Sequence, residues 1–178
     1  MELVRHSLAS DSEGAEHLKL EPALLRRVHG IIERPLTARR IRVHGDFHLG
    51  QILWTGSDFV IVDFEGEPAR SLHERRMKRW ALKDVAGMVR SFHYAARAAD
   101  VDSGWAADVS DAYLQGYVET PGVGGASFMP RSAEETRLLL DVMLIEKGLY
   151  ELRYELNSRP DWVRIPLHGL LELARNLS

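Results

Sequence analysis

His44-Gly45-Asp46-Phe47-His48-Leu49-Gly50-Gln51 lies between two stretches that read as strands, Ile41-Arg42-Val43 and Ile52-Leu53-Trp54. A further run, Phe59-Val60-Ile61-Val62, leads into Asp63-Phe64-Glu65, twelve residues beyond Gln51. Between the last two strands stands Thr55-Gly56-Ser57-Asp58, whose Gly, Ser and Asp suit a tight turn. The octapeptide is therefore a loop at the mouth of a β-hairpin, and the hairpin returns the chain to it. Two imidazoles, three carboxylates and an amide are gathered in this way from a short length of chain.

Around this small sheet the chain reads as helical. A short helix is expected from about Ala23 to Glu33, after Pro22. Apolar residues at Leu82, Val85, Ala86, Val89, Phe92 and Ala96 recur with helical spacing and predict a helix to about Ala99. A second is expected over Ala106 to Val118, ending where Thr120-Pro121-Gly122-Val123-Gly124-Gly125 opposes continuation. Ser132 with Glu135 forms a capping-box signature for the longest helix, about Ala133 to Leu156, which Pro160 ends. After Pro166, Leu167, Leu170, Leu171 and Ala174 predict a terminal packing helix. The fold class is α+β, mainly α, in one domain whose 178 residues can bury most of their unfolded surface.

Composition narrows the partners. A net charge of −3 and a pI near 6.2 give no pull towards nucleic acid or an anionic membrane. The basic run Arg75, Arg76, Lys78 and Arg79 reads as a solvated, salt-bridged face. Gly122, Gly124 and Gly125 lack the spacing and the following lysine of a phosphate loop. There is no cysteine, which excludes disulfides and thiolate metal sites. No apolar run approaches the roughly 18 residues of a membrane span, and the first residues lack a signal-peptide core. A cytoplasmic, soluble protein is expected.

Transfer of a γ-phosphoryl group requires a residue that orients the acceptor hydroxyl and hard oxygen ligands for magnesium. Asp46 can do the first. Gln51 and Asp63 can do the second, and alternation along the strand would put Glu65 on the same side as Asp63. His44 is expected to hold the loop by bonding to backbone, with a possible contact to the acceptor. On the longest helix, Lys147, Tyr150, Glu151 and Tyr154 share one face by their i, i+3, i+4, i+7 spacing, while Ile145, Leu149, Leu152 and Leu156 share the opposite one. From spacing alone that polar face is a solvated one with a Lys147/Glu151 pair, although two tyrosines bring apolar area that a sugar could cover.

The loop and hairpin resemble the catalytic and metal-binding loops of the aminoglycoside phosphotransferase-like kinases, relatives of the protein kinases. Where the broad pattern has Asn this chain has Gln51, and within that superfamily the octapeptide and Val62-Asp63-Phe64-Glu65-Gly66-Glu67-Pro68 closely resemble the maltokinases, including those fused to trehalose synthase. The similarity continues through Glu74 to Lys78, Lys83 to Phe92, and Glu146-Lys147 to Trp162, with a departure at Trp80-Ala81. The resemblance implies a protein-kinase-like C-terminal lobe. Asp46 would be the catalytic base, Gln51 and Asp63 magnesium ligands with Glu65 as a third candidate, and His44, Lys147, Tyr150, Glu151 and Tyr154 acceptor-side residues. It also implies ATP as phosphoryl donor and the anomeric hydroxyl of maltose as acceptor.

Residues 1–43 hold neither the glycine-bearing hairpin nor the lysine with which such kinases cradle triphosphate. The expectation is a single C-terminal lobe over residues 1–178 without the N-terminal ATP-binding lobe, inactive or nearly so when isolated. Its partner would be a chain carrying that lobe or a second copy of itself. Two other readings compete. In one, His44, Asp46 and His48 hold zinc in a metal-dependent hydrolase, which leaves Gln51, Asp63 and Glu65 without roles. In the other, the chain is a non-catalytic sugar-binding or assembly module.

Overall fold

A computed structural model describes residues 21–175, in two compact units that are taken separately below. Residues 36–144 form one, and the described parts of residues 1–35 and 145–178 form the other.

The larger unit carries the loop. Its only regular sheet among the described residues is the hairpin, β1 (Ile52–Trp54) antiparallel to β2 (Phe59–Ile61), with Ile52 opposite Ile61, Leu53 opposite Val60 and Trp54 opposite Phe59. Thr55 clamps the turn: its N–H and hydroxyl both donate to the Asp58 carbonyl, at 2.9 and 3.0 Å, and Gly56 takes the left-handed φ of +97° that the turn needs. Neither strand alternates. Leu53, Trp54, Phe59 and Val60 are all exposed, and the rings of Trp54 and Phe59 pair across the strands at 4.8 Å.

The expected strand Ile41–Val43 is a single bridge. Ile41 and Arg79 exchange N–H···O bonds of 2.9 Å in both directions, and pairing stops there. A β-branched run is not a strand without a partner of equal length.

Helix α1 (Glu21–Ile32) belongs to the smaller unit. In the larger one, α2 (Leu72–Arg76) is a five-residue helix with a complete capping box: Ser71 Oγ accepts the Glu74 N–H, and the Glu74 carboxylate accepts from Ser71 N–H at 2.9 Å. The Ser71 hydroxyl, which donates to the Glu74 carboxylate at 2.7 Å, and the Ser71 N–H hold that carboxyl below its ordinary value. Helix α3 (Leu82–Ala98) buries the predicted stripe, with Leu82, Val85, Ala86, Val89, Phe92 and Ala96 all inaccessible. It packs on α4 (Ser103–Glu119), where Tyr113 meets Phe92 edge-on at 5.7 Å. Asp102 caps α4 by accepting the Gly104 N–H, which explains why this helix starts earlier than the predicted Ala106.

Helix α5 (Ala133–Ser158) begins where Ser132 Oγ accepts the Glu135 N–H, but only that half of the predicted box forms. The Glu135 carboxylate instead accepts from both the N–H and the hydroxyl of Thr37. Burial pushes this carboxyl up, and hydrogen bonds from Thr37, Ala38 and Arg131 outweigh it and hold it low.

In the smaller unit the C-terminal part of α5, a 3-10 turn (Pro160–Trp162) and α6 (Arg164–Arg175) enclose Leu152, Leu167 and Leu170, with Leu24, Leu149, Leu156 and Val163 packed around them. Each of the three buried leucines contributes roughly 1.5–3 kcal/mol. Gly148 lets α6 come close, since a Cβ there would lie 2.9 Å from Leu170 Cδ2. No described helix is long and apolar enough to cross a membrane.

Candidate active site

The loop is bound at three points to one face of α3. Asp84, in the first turn, accepts the N–H groups of His44 at 2.7 Å and Gly45 at 2.9 Å, one on each carboxylate oxygen. Ser91 Oγ accepts the Leu49 N–H at 3.2 Å while donating to the Met88 carbonyl at 2.7 Å. Between them Gly87 admits the Phe47 carbonyl so closely that a Cβ would lie 2.4 Å from its oxygen. Positions 84, 87 and 91 are spaced by three and four, so a single helix face holds the backbone on both sides of Asp46. Burial raises the Asp84 carboxyl above its ordinary value, and the two backbone N–H groups oppose that shift without reversing it.

The two histidines of the loop are structural in this geometry. His44 is buried; its Nε2 pairs with the Val62 carbonyl at 2.8 Å, and its Nδ1 accepts the Asp46 N–H at 3.4 Å, an arrangement that fits the Nε2–H tautomer. Its ring lies between those of Phe47 and Phe64, with centroids 5.4 and 4.9 Å away. His44 thus ties the loop to the end of the hairpin, as expected, with both ring nitrogens engaged and the side chain buried. His48 Nδ1 accepts the Gly50 N–H at 3.1 Å and caps the 3-10 turn Leu49–Gln51. The zinc reading is corrected by the same contacts, because among the described residues no three His, Cys, Asp or Glu side chains form a group that could hold a metal.

Gln51 and Asp63 stand together at the base of the hairpin. The Val62 N–H donates to the Gln51 carbonyl at 3.0 Å, which continues the pairing one step past β1 and β2. There the Gln51 amide donates to Asp63 Oδ2 at 2.9 Å. Asp63 has φ of +63°, a left-handed conformation that costs a non-glycine residue roughly 1–3 kcal/mol and persists only where the surroundings impose it. The amide nitrogen faces Asp63 here, and the Gln51 carbonyl and Asp63 carboxylate are both hard oxygen donors of the kind that suits magnesium.

Glu65 lies 3.6 Å from Arg75 Nη1, so its carboxylate already has a cation. Arg75 does not sit on the solvated face expected of the basic run. It is mostly buried and donates to the carbonyls of Arg70 and Pro68, both at 2.9 Å. Trp80 lies under the Arg40 guanidinium at 4.7 Å.

The acceptor-side candidates belong to the smaller unit. Lys147 Nζ lies 5.1 Å from the centre of the Tyr150 ring, and Tyr154 is half-exposed. Glu151 is buried, so the solvated face with a Lys147/Glu151 pair does not describe it. Sequence spacing missed Glu155, a buried carboxylate held by Arg159 through two bonds of 2.9 and 2.7 Å. The same guanidinium lies over the rings of Tyr154 and Trp162. A buried acid in an i, i+4 pair was readable as such only with its burial known.

Comparison with known proteins identifies the family. The model of the phosphotransferase enzyme family APH matches residues 3–126, and the chain belongs to that family. It is 31% identical over 142 residues to a glucosamine kinase from Streptacidiphilus jiangxiensis, covering 75% of this chain and 31% of that protein. Over 53 residues it is 42% identical to a glucosamine kinase from Mycolicibacterium smegmatis, covering 30% of this chain and 13% of the other. A solved glucosamine kinase superposes with a TM-score of 0.79 at 26% identity, over 97% of this chain and 45% of that one. The chain thus spans about a third of the first curated relative and under half of the solved one.

Proposed function

We propose that the chain is the C-terminal, acceptor- and magnesium-holding lobe of an ATP-dependent sugar kinase. The observation that carries this is the loop fixed on α3 around Asp46, with the Gln51 amide bonded to the Asp63 carboxylate at the adjoining hairpin base. In this reading Asp46 receives the proton of the acceptor hydroxyl as that oxygen bonds to the γ-phosphorus and ADP leaves. Gln51 and Asp63 hold magnesium, which when bound neutralises charge on the phosphates. Glu65 stays a candidate third ligand, in competition with Arg75. Lys147, Tyr150, Glu151 and Tyr154 are proposed to bind the sugar.

Two acceptors are to be distinguished. The resemblance of the Gln-bearing octapeptide supports maltose, phosphorylated at its anomeric hydroxyl. The matched glucosamine kinases support glucosamine, the sugar in their name. A binding module without catalysis would keep the sugar and lose the transfer. Joined behind the N-terminal part of a glucosamine kinase, the chain is expected to transfer phosphate from ATP to one of these sugars, followed by phosphorus NMR. Asp46→Asn should reduce that rate by roughly 10²–10⁴-fold. A chimera that binds magnesium–ATP and transfers to neither sugar would sink the reading.

A further inference from the structure

We propose that Arg75 is a positioning residue for this site, the side chain around which the chain after Asp63 is wound so that Asp63 keeps its place beside Gln51. The proposal rests on the reading of Asp63 as a magnesium ligand. Residues 63–70 lie outside helix and strand, and they contain two left-handed positions, Asp63 and Gly66 at φ +80°. Within it the Arg70 N–H donates to the Glu67 carbonyl at 3.0 Å and Arg70 Nε pairs with the buried Glu67 carboxylate, which closes residues 67–70 on themselves; the strained Asp63 and Gly66 lie before that closure.

Arg75 ties the segment from outside it. Its Nε donates to the Arg70 carbonyl and its Nη2 to the Pro68 carbonyl, both at 2.9 Å, and its Nη1 faces Glu65 at 3.6 Å. Its stem lines the inside of the turn: a Cβ on Gly66 would lie 3.5 and 3.7 Å from Arg75 Cβ and Cγ, and 3.6 Å from the His44 carbonyl. One guanidinium therefore holds residues 65, 68 and 70, and packs the segment against the loop that carries Asp46. The base of Arg75 is itself fixed, because the Ser71–Glu74 capping box closes the first turn of α2. A side chain 18% exposed with three directed contacts is not a solvated charge. The planar fork of arginine reaches all three partners at once, and the point charge of lysine does not.

The test uses the 178-residue chain with Mn2+ as a paramagnetic probe, read by EPR, and amide hydrogen exchange over residues 63–70. Arg75→Met should speed exchange there and weaken Mn2+ binding by roughly 10–100-fold, the loss typical of a group that orients a metal ligand. Arg75→Lys should weaken it less, and it carries the test if Arg75→Met does not fold. Arg76→Met, on the same helix and exposed, should change neither measurement. Unchanged exchange in the Arg75 variants overturns the proposal. So does faster exchange with undiminished Mn2+ affinity, which would leave Arg75 as fold support only. Asp63→Asn reports on the metal reading separately: if it binds Mn2+ as the unsubstituted chain does, that reading fails, and exchange alone then decides whether Arg75 fixes the segment.

Discussion

The loop around Asp46 and the polar face of α5 are built by opposite means. In the loop, the placing is done by backbone: N–H groups of His44, Gly45 and Leu49 are held by Asp84 and Ser91, and the Phe47 carbonyl rests over Gly87. On α5, Lys147, Tyr150 and Tyr154 share a face through the helical period, and cations meet rings along it, Lys147 at Tyr150 and Arg159 at Tyr154. A group that must meet a reacting atom to within a few tenths of an ångström is fixed through a structure elsewhere. A surface that only has to cover a sugar ring can be carried by one helix. The difference teaches that substitutions beneath the loop should cost far more than substitutions on the face.

The largest effect is expected from Gly87→Ala. The added Cβ would meet backbone, the Phe47 oxygen, which cannot rotate away, and the strain should cost about 3 kcal/mol. In a chain of this size that corresponds to a fall in Tm of roughly 6–12 °C. Gly148→Ala on α5 meets only the end of the Leu170 side chain and should cost less than half as much. Equal losses in calorimetry would break the contrast. Next comes Asp84→Asn, which leaves one carboxamide oxygen for two N–H groups and should cost about 2 kcal/mol in urea unfolding.

The pH dependence sharpens this further. The Asp84 carboxyl is raised on folding, chiefly by burial, so the folded chain binds its proton more tightly than the unfolded chain. Its contribution is fully present below the ordinary value of 3.8 and is lost as pH rises through the raised folded value. The penalty of Asp84→Asn should therefore be larger in acid than at neutral pH. Glu135 runs the other way: held low by Thr37, Ala38 and Arg131 against the opposing effect of burial, it contributes above the ordinary value of 4.5 and loses that as pH falls through the folded value. Glu135→Gln should cost about 1 kcal/mol at neutral pH and less in acid. Parallel pH profiles for the two variants would contradict these directions. The smallest effect is expected from Tyr154→Phe, within about 0.5 kcal/mol, because that side chain is half-exposed.

What was legible in the sequence follows the same division. The stripe Leu82, Val85, Ala86, Val89, Phe92 and Ala96 announces α3 because periodicity is a local signal, and the hairpin turn is written in Thr55, Gly56 and Asp58. Asp84, Gly87 and Ser91 fall between the apolar positions, and although they share a helix face, three residues of such different types make no hydropathy stripe. Their roles appear only when a loop some 40 residues earlier is laid against them. The same limit explains Ser132 and Glu135, where the local pattern was right for the serine and a distant threonine took the glutamate. It also explains Arg75, whose partners are carbonyls that no side-chain pattern can show.

The three attachments of the loop to α3 lie within one eight-residue stretch, Asp84 to Ser91. Losing or gaining one residue inside that stretch would leave a helix of nearly the same length and propensity, yet would turn its two ends relative to each other by about 100°. Asp84 and Ser91 would then face different directions, and the loop could follow only one of them. In this helix the spacing of the chain is itself a functional quantity, so length changes there should be far less tolerated than exchanges of one residue for another.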